Sequence, residues 1–567
     1  MKKLIVALFL LPAVSSFAQD STFSMKLKDT LTHFVNYYKN SKQKEAEGNY
    51  RRGVEEGKWT YWHKNGKVRQ EAEYVAGRFH GKVTLYFDNG NKEDEGTFFI
   101  GKRTGAYTSY YSNGNIKLQG NFKDDERNGK FTSYYESGQK EWEGSYSGGQ
   151  KSDVWHFWYR DAKKMKESRF YSDKEQIDNF WDAKGKQLVK DGEGTVVEFF
   201  ENGNKKLEIP IAGGFYDGTA LSWYEDGTKW TEIQYHVGRL NGSYKTYYTN
   251  GKLKESTNYS FDKENGAWAD YTFDGLKEGE GFYRLGVEDS NWVWYANGNK
   301  RIEGFFKEGK RNKLWVYYYA GGKVIEHQGS FIDDKRNGEW IFNYQSGALL
   351  KKGNFVNDLR QGLWTVYFEN GKKEHEGNFK YDKEDGVWTS WFESGQIHEK
   401  GSFKMGAIDS RWEAFYQDGK PEYIANYANG AKNGEYKKWF ENGNPQIEGA
   451  YKDDMENGHW KKYHEKGGVM EEGDYSVEEH TTDNNKKVKV SLKAGKWTVY
   501  YPHGAPSQVM TYKFGKLNGK MVNYYSNGAV QSEGKYVNDL KHGVFKIYVK
   551  DGKVLKQEKF AYNKKIK

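Results

Sequence analysis

The chain reads as an all-β protein, an elongated, single-layer antiparallel meander of about 21 β-hairpin repeats. Three observations predict it. A turn signal ending in Gly returns every 24 residues, as at Gly66, Gly90, Gly114 and Gly138. Aromatic and apolar runs flank each of these turns, the strongest short-range hairpin pattern. The composition agrees, with 66 Gly, 6 Pro, 20 Trp, 45 Tyr and 33 Phe in 567 residues. A mean hydropathy of −1.01 alone would suggest disorder, but disordered chains are poor in rings.

In chain order, Lys2 and Lys3 precede an apolar run from Leu4 to Val14, and Ala18 offers a cleavage position. The run is too short to span a bilayer, so residues 1–18 read as a signal peptide. Its removal takes two lysines from the formal charge, 9 − 2, leaving +7. That weak, interleaved charge gives no reason to expect nucleic acid. The chain has no Cys, so disulfides are excluded. Gln19-Asp20-Ser21 lacks the Cys of a lipoprotein anchor, and the expected location is the periplasm or the exterior.

Residues 19–30 form an N-terminal segment or cap, and 31–170 a first repeat array. Residues 171–202 carry irregular short repeats, where Gly185 to Gly203 is only 18. A second array covers 203–475. From Gly467 to Gly504 the step is 37, which is 13 more than 24, so 476–494 reads as an inserted loop. C-terminal repeats fill 495–567.

The best-preserved unit runs from Gly362 through Trp364, Tyr367, Phe368, Asn370-Gly371 and Glu376-Gly377 to Phe379. Asn-Gly suits a two-residue type I′ turn, which needs positive φ at both positions. Trp364 then pairs with Gly377 across the hairpin, and the ring fills the space the missing side chain opens. Tyr107 with Gly120, Trp388 with Gly401 and Trp460 with Gly473 repeat the match. That face is the core. Tyr367 points to the other face, as do Tyr110, Tyr134, Trp158, Trp223, Tyr247, Tyr271, Tyr318, Trp391, Trp439 and Tyr463. These eleven are the candidate ligand-binding residues, an aromatic ladder expected to be exposed.

The pattern Gly-x-Trp-x-x-Tyr-Tyr-x-Asn-Gly followed by Glu-Gly-x-Tyr/Phe resembles the variant MORN repeat of bacterial exported and antitoxin-like proteins. The resemblance covers nearly the whole chain beyond the signal peptide. It implies a β-repeat domain used for binding or scaffolding, with no activity of its own. Some members of the family are linked to phospholipids.

No nucleophile elbow, phosphate loop, dinucleotide fingerprint or zinc-binding His pair occurs. His375-Glu376 and His464-Glu465 lack a second His. The recurring Glu95, Glu143, Glu376 and Glu448 read as exposed-face partners of Lys rather than glycosidase pairs. The Asp-Asp connectors read as turns, since they lack the spacing of a calcium loop. No catalytic residue, metal or cofactor is expected. The leading expectation is a non-enzymatic scaffold that binds a protein partner or itself. Glycan binding by the ladder and weak anionic-lipid binding are the alternatives.

Overall fold

The computed structural model describes residues 29–567 apart from Ser172, Thr482, Asp483 and Asn485. Residues 1–18, read above as a signal peptide, and most of 19–30, read as a cap, lie outside the described residues. The chain divides into two compact units, Met1–Tyr244 and Lys245–Lys567. Both are all-β. Among the described residues there is no helix, and 49 strands follow one another. Within each unit, strands pair antiparallel with their neighbours in sequence, as Leu359–Tyr367 does with Lys373–Lys380 and that strand with Lys383–Trp391. This is a meander, as expected.

The Asn-Gly turn is a different turn from the one expected. Gly371 N–H donates to the Phe368 carbonyl at 2.9 Å, and Phe368 N–H donates to the Lys372 carbonyl at 2.8 Å. Gly371 has φ +83° while Asn370 is not left-handed. The loop is thus three residues long, a type I turn closed by a left-handed Gly. An odd loop would reverse the faces of the returning strand, yet it does not. Tyr367 pairs with Lys373 but Val366 pairs with His375. The extra residue, Glu374, is bulged out, and the bulge cancels the longer loop. The true two-residue turns sit in the connectors. Lys380 pairs with Lys383 around Tyr381 and Asp382, whose φ values are +51° and +65°. Asp333-Asp334 and Asn357-Asp358 turn in the same way. Asn and Asp tolerate this backbone better than other side chains do.

Parity survives, and so does the register. Trp364 lies opposite Gly377, Trp388 opposite Gly401, Trp460 opposite Gly473 and Tyr107 opposite Gly120. The packing is what changes. Each Trp is also level with the Gly of the preceding hairpin, Trp364 with Gly353 and Trp388 with Gly377. The indole lies over that preceding Gly. A Cβ added at Gly353 would come within 3.0 Å of Trp364 Cδ2, Cε2 and Cγ, and one at Gly377 would meet Trp388 in the same way. Trp364 Nε1 then donates to the carbonyl of Asn354, the residue after that Gly, at 3.1 Å. The same bond recurs at Trp59, Trp315, Trp340 and Trp460. Ring over glycine therefore joins one hairpin to the next, where the sequence suggested a link within one hairpin.

Rings of adjacent strands complete the core edge to face. Trp364 meets Phe355 at 5.0 Å and 81°, and Phe379 at 6.3 Å and 86°. The Arg360 guanidinium lies 3.8 Å from the Phe379 centroid. Such pairs contribute roughly 0.5–1.5 kcal/mol beyond burial. Trp59, Trp155 and Trp497 are 1–2% exposed, so neighbouring rings and basic stems cover what a second layer would otherwise have to cover. Phe545 takes the Trp place over Gly534, and a cavity of about 190 Å³ opens beside Tyr536, Lys556 and Glu558.

Two irregular stretches differ. Around 171–202 the core becomes aliphatic, with Ile177, Phe180, Val189, Val196 and Ile211 buried together. In the 476–494 segment, expected as a loop, 476–481 and 487–494 are strand instead. Val469–Thr481 and Lys487–Tyr500 extend the hairpin, pairing Ser476 with Leu492 through Thr481 with Lys487. Val488, Val490 and Leu492 alternate with polar residues, the period of a strand.

Candidate functional site

The face opposite the core is held by a repeated Glu–Lys–ring unit. Glu95 accepts bonds from Lys92 at 2.8 Å, from Lys82 at 3.0 Å and from the Tyr110 hydroxyl at 2.8 Å. Lys92 Nζ stands 5.9 Å from the Tyr110 ring centroid. Burial resists ionisation of Glu95, but Lys92, Tyr110 and Lys82 outweigh it and hold its carboxyl at about 2. Burial, then the bond to Glu95, pushes the Tyr110 hydroxyl up to about 12. The unit recurs with the repeat. Tyr463 donates to Glu448 at 2.6 Å, and Tyr318 donates to Glu303, which also takes Lys300 at 2.8 Å. Under the Trp members the lysine serves both roles. Lys373 bonds Glu376 at 2.7 Å and lies 5.4 Å from the Trp391 centroid. Lys140 does so with Glu143 and Trp158, and Lys205 with Glu208 and Trp223. The lysine pairing expected of Glu95, Glu143 and Glu376 is therefore present.

The ladder is not exposed as expected. Tyr110, Tyr134, Trp158, Trp223, Tyr247, Tyr271, Tyr318, Tyr367, Trp391, Trp439 and Tyr463 are all half-buried. Lysine stems and the neighbouring strands fill the space between rungs. Tyr134 accepts Gln119 Nε2 at 3.0 Å. The ladder residues serve a second purpose that sequence reasoning missed. The aromatic that follows the ladder position donates its hydroxyl to the ladder carbonyl of the next repeat, Tyr344 to Tyr367 at 2.8 Å and Tyr416 to Trp439 at 2.7 Å. Tyr248 does this to Tyr271, Tyr111 to Tyr134 and Tyr135 to Trp158. The doubled aromatic before x-Asn-Gly was the available signal.

Both turn edges are stitched in the same repeat-to-repeat sense. Asn89 Nδ2 donates to the Ser112 carbonyl at 2.7 Å, and Asn442 to that of Glu465 at 2.9 Å. At the connectors, Asp358 accepts from both N–H and Nε of Arg336 at 3.0 Å, and Asp382 holds Arg360 in the same way. Those carboxyls lie below the usual carboxylate range, for Asp358 because of the Arg336 backbone N–H first and then, against burial, its guanidinium. Among the described residues no three His, Cys, Asp or Glu gather in a way that could hold a metal ion. Many polar groups of each repeat are thus bonded within it or to the next repeat. Apolar side chains also stand clear of this network: Leu314 is 52% exposed, Leu363 52% and Val387 66%.

Nine segments match the MORN repeat variant model, at residues 55–76, 103–124, 240–260, 336–357, 360–381, 384–405, 409–429, 432–453 and 517–538. No curated protein sequence matches the chain. Among solved structures it is similar to the TcdB2–TccC3–Cdc42 crystal structure, with 10% identity and a TM-score of 0.14, covering 84% of this chain and 28% of that one. TcdB2–TccC3 gives 10% and 0.14 over 93% and 30%, and TcdB2–TccC3–TEV gives 10% and 0.12 over 97% and 32%. The chain spans about a third of the length of those chains.

Proposed function

Because the chain is a MORN-variant repeat protein, we propose that it is a non-enzymatic scaffold whose sheet binds a protein partner, a second copy included. One observation carries the reading: many charged, phenolic and indole groups bond within their own repeat or to the adjoining one, while Leu314, Leu363 and Val387 stand exposed on the face opposite the core rings. Apolar side chains left out of so extensive a network mark a contact surface. The Lys2-Lys3 start, the Leu4–Val14 run and Ala18 support export to the periplasm or exterior. The glycan reading of the ladder is weaker, because its rings are half-buried and carry ammonium groups near their faces.

The test is covalent cross-linking of the purified mature chain in envelope extract, with the linked species identified by mass spectrometry. One recurring protein, or a self-linked dimer, is expected. Parallel titrations follow tryptophan emission against soluble glycans and anionic vesicles. A response to glycan together with no linked protein would sink the scaffold reading.

A further inference from the structure

Beside the connectors between residues 307 and 404 of the second unit, six exposed lysines make no ion pair among the described residues: Lys307, Lys310, Lys335, Lys380, Lys383 and Lys404. They fall in one row. Going strand by strand, the positions beside successive connectors read Lys307, Lys310, Ile332, Lys335, Val356, Leu359, Lys380, Lys383 and Lys404. Phe355 is buried among the core rings, so alternation puts its neighbour Val356 on the opposite face, with Leu359 as its cross-strand partner. Ile332 is 56% exposed, Val356 50% and Leu359 40%. The next row inward adds Leu314, Leu363 and Val387, each one residue before a core Trp. The acidic turn residues nearby are already used, since Asp334, Asp358 and Asp382 hold Arg311, Arg336 and Arg360. Among the described residues, Glu308, Asp333, Glu339, Glu384 and Asp385 stand near the six lysines without an ion pair of their own, so the lysines remain in excess. The same positions later in the unit carry Ala428, Ala431, Arg411, Glu435 and His459, so the combination is local rather than a property of the repeat.

We infer that this belt, an apolar centre flanked by unpaired lysines, is the docking site for an acidic amphipathic segment of a protein. The inference rests on the scaffold reading above and deepens it by naming the partner's chemistry. An apolar centre with a charged rim is the anatomy of a specific interface, and the sign of the rim selects an acidic partner. Nine strands carry the row, so its eight steps span about 38 Å, the reach of an extended segment of roughly 12 residues.

The experiment uses the full mature chain and a fluorescein-labelled 12-residue peptide of alternating Glu and Leu, read by anisotropy. A Glu/Ser peptide and a Lys/Leu peptide of the same length are controls, alongside vesicles containing phosphatidylserine. The variants are K335E/K380E/K383E and L359S/L363S, whose side chains are exposed. Their unfolding curves are checked against the parent. The Glu/Leu peptide should bind, weaken at least about tenfold with each variant and with higher salt, and outbind both control peptides. The inference is overturned if the peptide fails to bind, if neither variant weakens it, if the Glu/Ser peptide binds as well, or if vesicles bind and the peptide does not. Cross-linking in envelope extract with K335E/K380E/K383E separates the two claims. A linked protein that persists on that variant removes the belt and leaves the scaffold reading standing.

Discussion

Gly353→Ala is the sharpest perturbation of the ring-over-glycine joint. The backbone at Gly353 is not left-handed, so in an ordinary strand Ala would gain roughly 0.5–1 kcal/mol over Gly. Here the new Cβ falls within 3.0 Å of three atoms of the Trp364 indole. The ring, 6% exposed and wedged between Phe355 and Phe379, must move. Overpacking of this kind costs about 1–3 kcal/mol. Loss of the Nε1 bond to the Asn354 carbonyl at 3.1 Å adds about 1 kcal/mol. A net loss of about 2–3 kcal/mol is expected for the local unit. The chain supplies its own rescue, because Ala72 stands in the glycine place where Val83 replaces the Trp. Trp364→Val should cost about 3 kcal/mol by itself, and adding Gly353→Ala to it should cost nothing further or regain part of the loss. Repeat arrays open locally, so the readout is amide hydrogen exchange across 349–367 for the four proteins of the cycle. Equal costs of Gly353→Ala in the parent and in the Trp364→Val background would refute the packing argument.

Three more outcomes are expected. Ile100 holds φ +47° while 45% exposed, a costly state for a β-branched residue, so Ile100→Asn should gain about 1 kcal/mol and raise the melting temperature; no gain would remove the strain claim. Tyr344→Phe should cost about 0.5–1.5 kcal/mol by freeing the Tyr367 carbonyl, whereas Tyr381→Phe, at an exposed turn, should change little; equal effects by denaturant titration would count against the staple. Lysine and tyrosine partners hold Glu95 at about 2 and also lower Glu303 and Glu533. Their stabilisation is complete above the unfolded carboxylate range near 4.5 and is lost as pH falls toward about 2. Unfolding at pH 6 and pH 3 should show that loss, and equal stability at both would contradict it.

The hairpins, the Trp–Gly register and the two faces were legible in the sequence because the 24-residue step fixes them together. The turn type was not. Asn370-Gly371 suits both a two-residue turn and a type I turn closed by Gly, and only the bulge at Glu374 tells them apart. The direction of each indole was hidden for a related reason, since Trp364 is level with Gly353 and Gly377 alike. The 476–494 segment was legible in principle, for Val488, Val490 and Leu492 alternate, but its charges resemble a loop. The ladder's half-burial escaped notice because a residue list does not show Lys373 laid beside Trp391. The belt was invisible until pairing put Ile332, Val356 and Leu359 in one row.

The most direct test of the repeat-to-repeat joint is the chemical shift of the Gly353 Hα protons in glycine-labelled protein. An indole stacked over them displaces them upfield. Both Trp340, across the same hairpin, and Trp364, from the next repeat, are level with Gly353. The shift should vanish in Trp364→Val and persist in Trp340→Val. An ordinary Gly353 Hα position, or a shift that disappears only when Trp340 is replaced, would contradict the joint.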